Sequence, residues 1–326
     1  MFIMSDQARE KVLFIVNPKS GKMIMKKKLF EVVKLFSDSG FEPTVLMTQK
    51  RGDASIIAKE HGPRFDRIVS CGGDGTLNEV VTGLMELPKE ARPPLGFIPA
   101  GTTNDLASTL GIPTKTIEAA KTVIENKPIP NDVGFFNNTR YFNYIASCGA
   151  FAATSYSTPQ GLKNTIGHSA YILEGIKDVT KIRSMNMKLE MPDKTIEGKF
   201  IFVAITNALS MGGVYKLKPE TVNLQDGEFE VLLVRKPSNP AQTVSMLHQL
   251  TRHKYDKDHV LFYHTPSIKI TADKPIKWTV DGEFGGELDS VTVKNMHGAI
   301  SIFKPVPKIA MAEKEKSAEV KDNTEQ

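Results

Sequence analysis

The first 130 residues alternate between short runs of consecutive apolar residues and longer segments with the spacing of an amphipathic helix. The apolar runs cover residues 12–16, 43–48, 67–70 and 95–98, and the helical segments cover residues 25–39, 53–60 and 76–87. Unbroken apolar runs are typical of parallel strands that are buried on both faces. The alternating order therefore predicts an α/β domain with a doubly wound parallel sheet, whose ligands bind at the carboxyl ends of its strands.

The pattern changes after residue 130, where apolar and polar residues alternate over short segments separated by turn residues. Alternation of this kind is typical of strands with one face in a core. Strands are predicted at residues 132–136, 141–147, 187–191, 199–206, 229–234, 260–263, 267–271 and 277–280, with helices near 163–181 and 240–252. We therefore predict a first domain at 10–130, a mostly β domain at 131–290, a segment near 291–306 that returns to the first domain, and a disordered tail at 308–326.

Composition narrows the class of protein. A chain of 326 residues with 40% hydrophobic and 24% charged residues is typical of a globular protein of two domains. No apolar run approaches the roughly 18 residues that cross a bilayer, and the N-terminus lacks a signal-like apolar core. Cys71 and Cys148 fit neither a disulfide nor a metal pattern, so we expect a protein of the reducing cytoplasm. A net charge of only +5 argues against a nucleic-acid partner.

The most informative segment is Gly72-Gly73-Asp74-Gly75-Thr76, which follows the third predicted strand. The glycines allow the backbone to approach a ligand closely and to adopt positive φ where other residues would clash. Thr76 can cap a helix whose N-terminus favours a phosphate. The Asp74 carboxylate beside that anion is repulsive unless a divalent cation lies between them. The segment therefore indicates a nucleotide phosphate with Mg²⁺, although a Gly-Asp-Gly run by itself is also typical of an ordinary turn.

Similar segments follow two other predicted strands. Residues 17–22 (Asn-Pro-Lys-Ser-Gly-Lys) offer polar side chains, a glycine and two lysines, and residues 98–105 place a glycine and hydroxyls before the carboxylate of Asp105. Each is explained by a plain turn or a helix cap when taken alone. Their recurrence at successive strand ends favours one ligand site built from several loops.

A fourth segment lies in the mostly β region. Asp281-Gly282-Glu283 places two carboxylates around a glycine at the end of an apolar strand. A hairpin tip explains Asp-Gly without any function. However, phosphoryl transfer to an alcohol needs a base near the hydroxyl in addition to phosphate and metal binding.

Together the four motifs resemble a known family. Residues 17–21, 72–79, 101–105 and 281–283 have the order and spacing of bacterial lipid kinases of the diacylglycerol kinase catalytic-domain family, most similar to its soluble Gram-positive members. The resemblance covers nearly all of residues 11–304. It implies a Rossmann-like α/β domain and a β-sandwich domain, with the nucleotide in the cleft between them.

The resemblance also implies roles for individual residues. Glu283 would accept the proton of a lipid hydroxyl that attacks the γ-phosphate of ATP, with Asp281 and Asp74 as further catalytic carboxylates. The residues that would bind the nucleotide are Asn17, Pro18, Lys19, Ser20, Gly21, Thr48, Gly72, Gly73, Asp74, Gly75, Thr76, Leu77, Asn78 and Thr102.

A structural Mg²⁺ site is implied at residues 222–228. Asp226 would supply a carboxylate, while Asn223 and Glu228 would contribute mainly backbone carbonyls. Glu228 stands where related sequences have tyrosine, a change that a backbone ligand tolerates. Water would link the ion to Asp74 and Asp105.

The sequence thus predicts an ATP- and Mg²⁺-dependent kinase that converts diacylglycerol to phosphatidic acid. The resemblance suggests a cytoplasmic homodimer that meets its membrane lipid transiently at the inner membrane surface. Three alternatives stay open: another lipid alcohol such as a sphingoid base or ceramide, NAD as the acceptor, and a non-catalytic nucleotide-binding regulator. The chain lacks an Asn-Thr-Asp-Glu segment typical of NAD kinases, and its intact Asp281-Gly282-Glu283 argues against a regulator. Head-group and acyl-chain preference stay open, since lipid pockets are lined by generic apolar side chains.

Overall fold

The computed structural model describes residues 9–21, 23–150, 182–211, 215–255 and 258–305. Its first region contains four parallel strands in the order β2-β1-β3-β4. They are β1 (Lys11–Val16), β2 (Glu42–Met47), β3 (Arg67–Gly72) and β4 (Leu95–Pro99). The inner strands are buried almost throughout, as their unbroken apolar runs predict, whereas the edge strand β2 is only partly buried.

Helices pack in pairs around these strands: α1 contacts α5, and α2 contacts α3. They are α1 (Ile24–Asp38), α2 (Asp53–His61), α3 (Asp74–Met85), α4 (Asp105–Leu110) and α5 (Thr116–Glu125). Helix α1 shows the expected amphipathic spacing, since Met25, Val32 and Phe36 are buried. Helix α3 begins two residues earlier than predicted, so Thr76 lies inside its first turn, and the cap position belongs to Gly73 without a side-chain cap bond.

The second region is rich in antiparallel strands, and the helix α6 (Pro240–Arg252) packs against the strand at Val260–Thr265. The strands are β5 (Pro128–Phe136), β6 (Arg140–Phe142), β7 (Ile145–Gly149), β8 (Met185–Met191), β9 (Lys194–Thr206), β10 (Ser210–Met211), β11 (Tyr215–Lys216), β12 (Phe229–Arg235), β13 (Val260–Thr265), β14 (Ser267–Val280) and β15 (Glu283–Phe303). The helix predicted near 163–181 and the tail predicted at 308–326 lie outside the described residues.

Strands β14 and β15 form a long hairpin that joins the two regions. The two short strands predicted at 267–271 and 277–280 are one strand, because the register shift between Thr271 and Ile276 lets β14 bend without ending. Strand β15 pairs with β14 and β5 and then, at Ile302, in parallel with Leu95 of β4. The sheet is therefore continuous from one region into the other, with the order β13-β12-β9-β7-β14-β15-β4-β3-β1-β2.

Each region has its own hydrophobic core. Strands β1, β3 and β4 and helices α1 to α5 enclose one, and strands from β5 to β15 enclose others, in which Trp278 packs against Phe136 with ring centroids 5.6 Å apart. These cores fix the strands whose ends carry the polar loops. In the part of the chain that the structure describes, no helix is long and apolar enough to cross a membrane.

Candidate active site

A cleft of about 650 Å³ lies where the carboxyl ends of the parallel strands face the β14–β15 turn. The loop after β1, the loop after β2, the start of α3 and the loop after β4 contribute to one side, and β6 and the β14–β15 turn contribute to the other. Its lining residues are Asn17, Lys19, Ser20, Gly21, Thr48, Gln49, Lys50, Arg51, Gly73, Gly75, Thr76, Asn78, Glu79, Thr82, Gly101, Thr102, Arg140, Asp281 and Glu283. The strand-end motifs therefore meet in one place, as the topology of a parallel sheet predicts.

Asn17 ties the loop after β1 to the glycine-rich turn. Its backbone N–H donates to the carbonyl of Cys71 at 2.9 Å, and its side-chain amide donates to Thr76 Oγ1 at 3.0 Å. Its side-chain oxygen also accepts from the Lys19 N–H at 3.0 Å. This small network orients the loop and leaves the first turn of α3 open towards the cleft.

Close packing against neighbouring residues, rather than positive φ, explains Gly72 and Gly73: the Thr76 side chain lies next to Gly72, and the Gly101 backbone lies next to Gly73. Neither residue has positive φ, contrary to the sequence-based expectation. A Cβ atom added to Gly72 would lie 2.5 Å from Cβ of Thr76, and one added to Gly101 would lie 2.6 Å from Cα of Gly73. The turns after β3 and β4 are thus packed against each other with no room for a side chain.

Asp74 joins the starts of two helices. Backbone N–H groups of Asn104, Asp105 and Leu106 donate to its carboxylate, which places it at the N-terminus of α4. Burial nevertheless raises the pKa of Asp74, because those hydrogen bonds offset only part of the desolvation of its charge. Its Oδ1 atom is buried without a hydrogen-bond partner among the described residues. An unsatisfied buried carboxylate oxygen fits the neighbourhood of a cation or an ordered water.

Asp281 is held by donors on all sides. Its Oδ2 accepts from the Asn78 side chain at 2.9 Å and from the Asn143 N–H at 2.7 Å, and its Oδ1 accepts from Tyr144 N–H and Ile145 N–H, each at 3.1 Å. Burial raises the pKa of Asp281 to about 6, while the hydrogen bonds from these donors favour the ionised form and oppose that rise. A carboxylate with this many donors braces the hairpin against α3 rather than facing a substrate.

Glu283 presents its carboxylate to the cleft beside two arginines. Its Oε2 accepts from Arg51 Nη2 at 2.5 Å and from Arg140 Nη2 at 2.7 Å. Asp281 and Gly282 have φ of 47° and 77°, so they form a tight turn of the kind that Asp-Gly favours. This turn lets the Asp281 side chain bond to Asn78 while the Glu283 side chain contacts the two arginines.

Comparison with known proteins identifies the family. The family model of the diacylglycerol kinase catalytic domain matches residues 11–136, and that of the YegS C-terminal NAD kinase beta sandwich-like domain matches residues 146–304. A diacylglycerol kinase of Bacillus subtilis (strain 168) is 37% identical over 297 residues, which span 90% of this chain and 96% of that relative. The chain belongs to the diacylglycerol kinase catalytic-domain family.

A second relative and a solved structure support the same family assignment. A diacylglycerol kinase of Staphylococcus carnosus (strain TM300) is 33% identical over 299 residues, spanning 91% of this chain and 96% of that relative. A crystal structure from Bacillus anthracis str. Sterne, described as a candidate diacylglycerol kinase, is 26% identical with a TM-score of 0.75 and covers 91% of this chain and 98% of its own. The family resemblance seen in the sequence is therefore confirmed, and the chain is a kinase with the two-domain fold of this structural neighbour.

Most residues that the family resemblance assigns to the nucleotide line the cleft of this diacylglycerol kinase family member. They are Asn17, Lys19, Ser20, Gly21, Thr48, Gly73, Gly75, Thr76, Asn78 and Thr102, and Asp281 and Glu283 line the same cleft. Pro18, Gly72, Asp74 and Leu77 lie in the same segments but are not among its lining residues. Leu77 is buried in the core of the first region.

The proposed metal ligands lie away from the cleft lining, in the turn before β12. Asn223 Oδ1 accepts from the Gln225 N–H at 3.2 Å, and Asp226 Oδ1 accepts from the Glu228 N–H at 3.0 Å. The carbonyl of Glu228 accepts from Asn295 Nδ2 at 3.0 Å. No group of three or more His, Cys, Asp or Glu side chains that could hold a metal occurs among the described residues. One carboxylate with backbone carbonyls is nevertheless a set of hard oxygen donors, which fits a partly hydrated Mg²⁺.

The main residues that the sequence motifs do not include are Arg51 and Arg140. Both line the cleft and both contact Glu283. A signal for Arg51 is present in the sequence, since Lys50 and Arg51 follow the second predicted strand as Lys19 follows the first. Arg140 has no such signal, because only the pairing of β5 with β6 and β15 brings it to the cleft.

Proposed function

We propose that this kinase transfers the γ-phosphoryl group of ATP to the hydroxyl of diacylglycerol and forms phosphatidic acid. The main support for this proposal is that the glycine-rich loops at the parallel strand ends and the Glu283 carboxylate share one cleft. Relatives named diacylglycerol kinase, 33–37% identical over about nine tenths of the chain, support the choice of lipid.

The cleft suits a triphosphate. Lys19, Lys50, Arg51 and Arg140 bring positive charge to its lining, and the first turn of α3 supplies backbone N–H groups next to Gly75 and Thr76. Cations and helix N-termini are the groups that bind phosphate oxygens in proteins. We assign the phosphates of ATP to this side, together with the loop at Asn17–Gly21 and with Thr48 and Thr102.

Glu283 is the proposed general base. As the lipid oxygen attacks the γ-phosphorus, the O–H bond of the lipid breaks and its proton moves to the Glu283 carboxylate, while the bond from the γ-phosphorus to the β-phosphate oxygen breaks and ADP leaves. Asp281 and Asp74 support this step without touching the reacting atoms. Asp281 fixes the hairpin that carries Glu283, and Asp74 fixes the glycine-rich turn against α4.

Mg²⁺ is the proposed metal, and it would reduce the charge of the phosphates when bound. The unsatisfied Oδ1 of Asp74 supports a cation or its water shell at the nucleotide, and Asn223, Asp226 and Glu228 would hold a structural ion by oxygen atoms. We further propose a Rossmann-like domain at 10–130 with the returning segment at 291–306, and a β-sandwich domain at 131–290. The protein is proposed to be a homodimer that binds transiently to the inner membrane surface, where diacylglycerol resides.

A phosphate-transfer assay with candidate acceptors tests the proposal. Purified protein is incubated with γ-³²P-labelled ATP, Mg²⁺ and mixed micelles of diacylglycerol, sphingosine or ceramide, and separately with NAD. We expect label in phosphatidic acid. Label on a sphingoid lipid or on NAD, with none in phosphatidic acid, would replace diacylglycerol by that acceptor. ATP binding without transfer to any acceptor would favour the regulator.

A further inference from the structure

Glu283 and two arginines form a cluster at the cleft that brings together the two sides of the molecule. Arg51 follows β2 in the first region, whereas Arg140 lies on β6 and Glu283 begins β15. Both guanidinium groups donate to the same carboxylate atom, Oε2 of Glu283, at 2.5 and 2.7 Å. The proposed base thus has one oxygen occupied by two cations.

The Arg140 side chain and the loop that carries Arg51 are held in place independently of Glu283. Arg140 donates to the carbonyl of Phe284 at 3.1 Å and to that of Val280 at 3.4 Å. The loop that carries Arg51 is fixed by Asp53, whose Oδ2 accepts from the N–H groups of Gln49 at 2.7 Å and Lys50 at 2.9 Å. Neither set of contacts depends on the carboxylate of Glu283, so Arg140 and the loop of Arg51 stay beside the cleft when that side chain turns away.

The Arg51–Glu283 pair is weak enough to be exchanged. The Arg51 side chain is 79% exposed and that of Glu283 is 41% exposed, so water and salt screen their attraction. A terminal phosphate carries more charge than a carboxylate and offers several oxygens to planar guanidinium groups. In a cleft that admits a triphosphate, the phosphate is therefore the stronger partner for these donors.

We infer that Arg51 and Arg140 bind the terminal phosphate of the nucleotide, and that Glu283 occupies their donor groups until this phosphate displaces it. The inference rests on the proposed function, because it takes ATP as the nucleotide and Glu283 as the base. Its consequence is a link between two events: the γ-phosphate takes over the arginines, and Oε2 of Glu283 becomes available to the lipid hydroxyl. ADP, which lacks that phosphate, leaves the cluster closed.

Calorimetric titration with ATP and with ADP, both with Mg²⁺ and without lipid, tests this inference. Arg51→Gln and Arg140→Gln are each expected to weaken ATP binding about tenfold and ADP binding less than about twofold. Glu283→Gln is expected to tighten ATP binding about threefold, because it removes the carboxylate that competes with the phosphate for the arginines. The gain is small because the contact that is lost is a partly exposed ion pair. In the Arg51→Gln background, adding Glu283→Gln should give a smaller gain, because only Arg140 is then released from the carboxylate.

Two further variants serve as controls. Lys59 lies on α2 and pairs with Glu86 at 2.6 Å, so Lys59→Gln removes a cation from the same region and should leave both affinities unchanged. Arg140→Lys keeps the charge and guards against a folding defect in Arg140→Gln; it should recover part of the ATP affinity, because one ammonium replaces a fork of donors. Thermal unfolding confirms that each titrated variant is folded.

Equal losses of ATP and ADP affinity in the arginine variants would overturn the assignment to the terminal phosphate. An unchanged ATP affinity in Glu283→Gln, or an equal gain for ADP, would overturn the displacement of Glu283. The proposed function fails by a different readout: Glu283→Gln that still transfers phosphate to lipid disproves the base, whatever its ATP affinity. The binding ratios and the turnover assay therefore separate the two claims.

Discussion

The structure predicts that two glycines of the nucleotide loops serve different purposes, and alanine at each position separates them. Gly75 lies in the first turn of α3, has no positive φ, and has nothing within 4 Å of an added Cβ atom. Gly21 has φ of 53°, and an added Cβ atom would lie 2.2 Å from the carbonyl oxygen of Ala100. Both residues line the cleft.

The two substitutions should change the free energy of unfolding in opposite directions. Gly75→Ala adds a methyl group into open space on a helical backbone and reduces the freedom of the unfolded chain, so it should raise the free energy of unfolding by about 0.4–1 kcal/mol. Gly21→Ala places a side chain on a left-handed backbone, which costs about 1–2 kcal/mol of stability. It also creates a clash that the loop after β4 must move to relieve, which costs about 1–3 kcal/mol more. We therefore expect Gly21→Ala to lower the free energy of unfolding by about 2–5 kcal/mol.

Denaturant unfolding and ATP titration of the two variants are the assays. The open space at Gly75 is the proposed position of a phosphate, so Gly75→Ala should weaken ATP binding about tenfold or more although the protein is no less stable. Normal ATP affinity in Gly75→Ala would show that no phosphate approaches this residue. A large loss of stability in Gly75→Ala, or none in Gly21→Ala, would refute the steric reasoning itself.

Two further predictions concern Glu230 on β12 and Asp53 at the start of α2. Burial raises the pKa of Glu230 to about 8 from an ordinary 4.5, so the free energy of unfolding should fall as pH rises from about 4.5 to 8. Glu230→Gln should remove up to about 4 kcal/mol of that fall, which denaturant unfolding in the presence of a chelator measures at several pH values. An equal decline in wild type and Glu230→Gln would contradict this prediction. Asp53→Ala frees the loop of Arg51, so it should weaken ATP binding more than ADP binding in calorimetry; equal losses would count against that positioning role.

The parallel part of the fold is well predicted by sequence because its signals are local. The buried strands β1, β3 and β4 are unbroken apolar runs, and turn or cap residues follow them directly. The hairpin of β14 and β15 is different. Its register shifts and its length depend on which distant strands pair with it, and periodicity does not record that pairing.

The candidate site shows the same division. The glycine-rich turns and Asp281-Gly282-Glu283 are visible as short motifs, and the structure brings them to one cleft. Sequence does not predict that Arg51 and Arg140 converge on Glu283, because one lies in the loop after β2 and the other on β6, and they have no mutual spacing to recognise. The role expected for positive φ at Gly72 and Gly73 was wrong, since the physical constraint there is contact with Thr76 and Gly101.

The most direct test of the account measures phosphatidic acid formed from labelled ATP and diacylglycerol by wild type, Glu283→Gln and Glu287→Gln. Glu287 is an exposed carboxylate on the same strand and serves as the matched control. We predict that wild type and Glu287→Gln form phosphatidic acid at similar rates, whereas Glu283→Gln binds ATP but forms about a hundredfold less, since that is the order of a general base's contribution. Phosphatidic acid formed by Glu283→Gln at the wild-type rate would contradict the central claim.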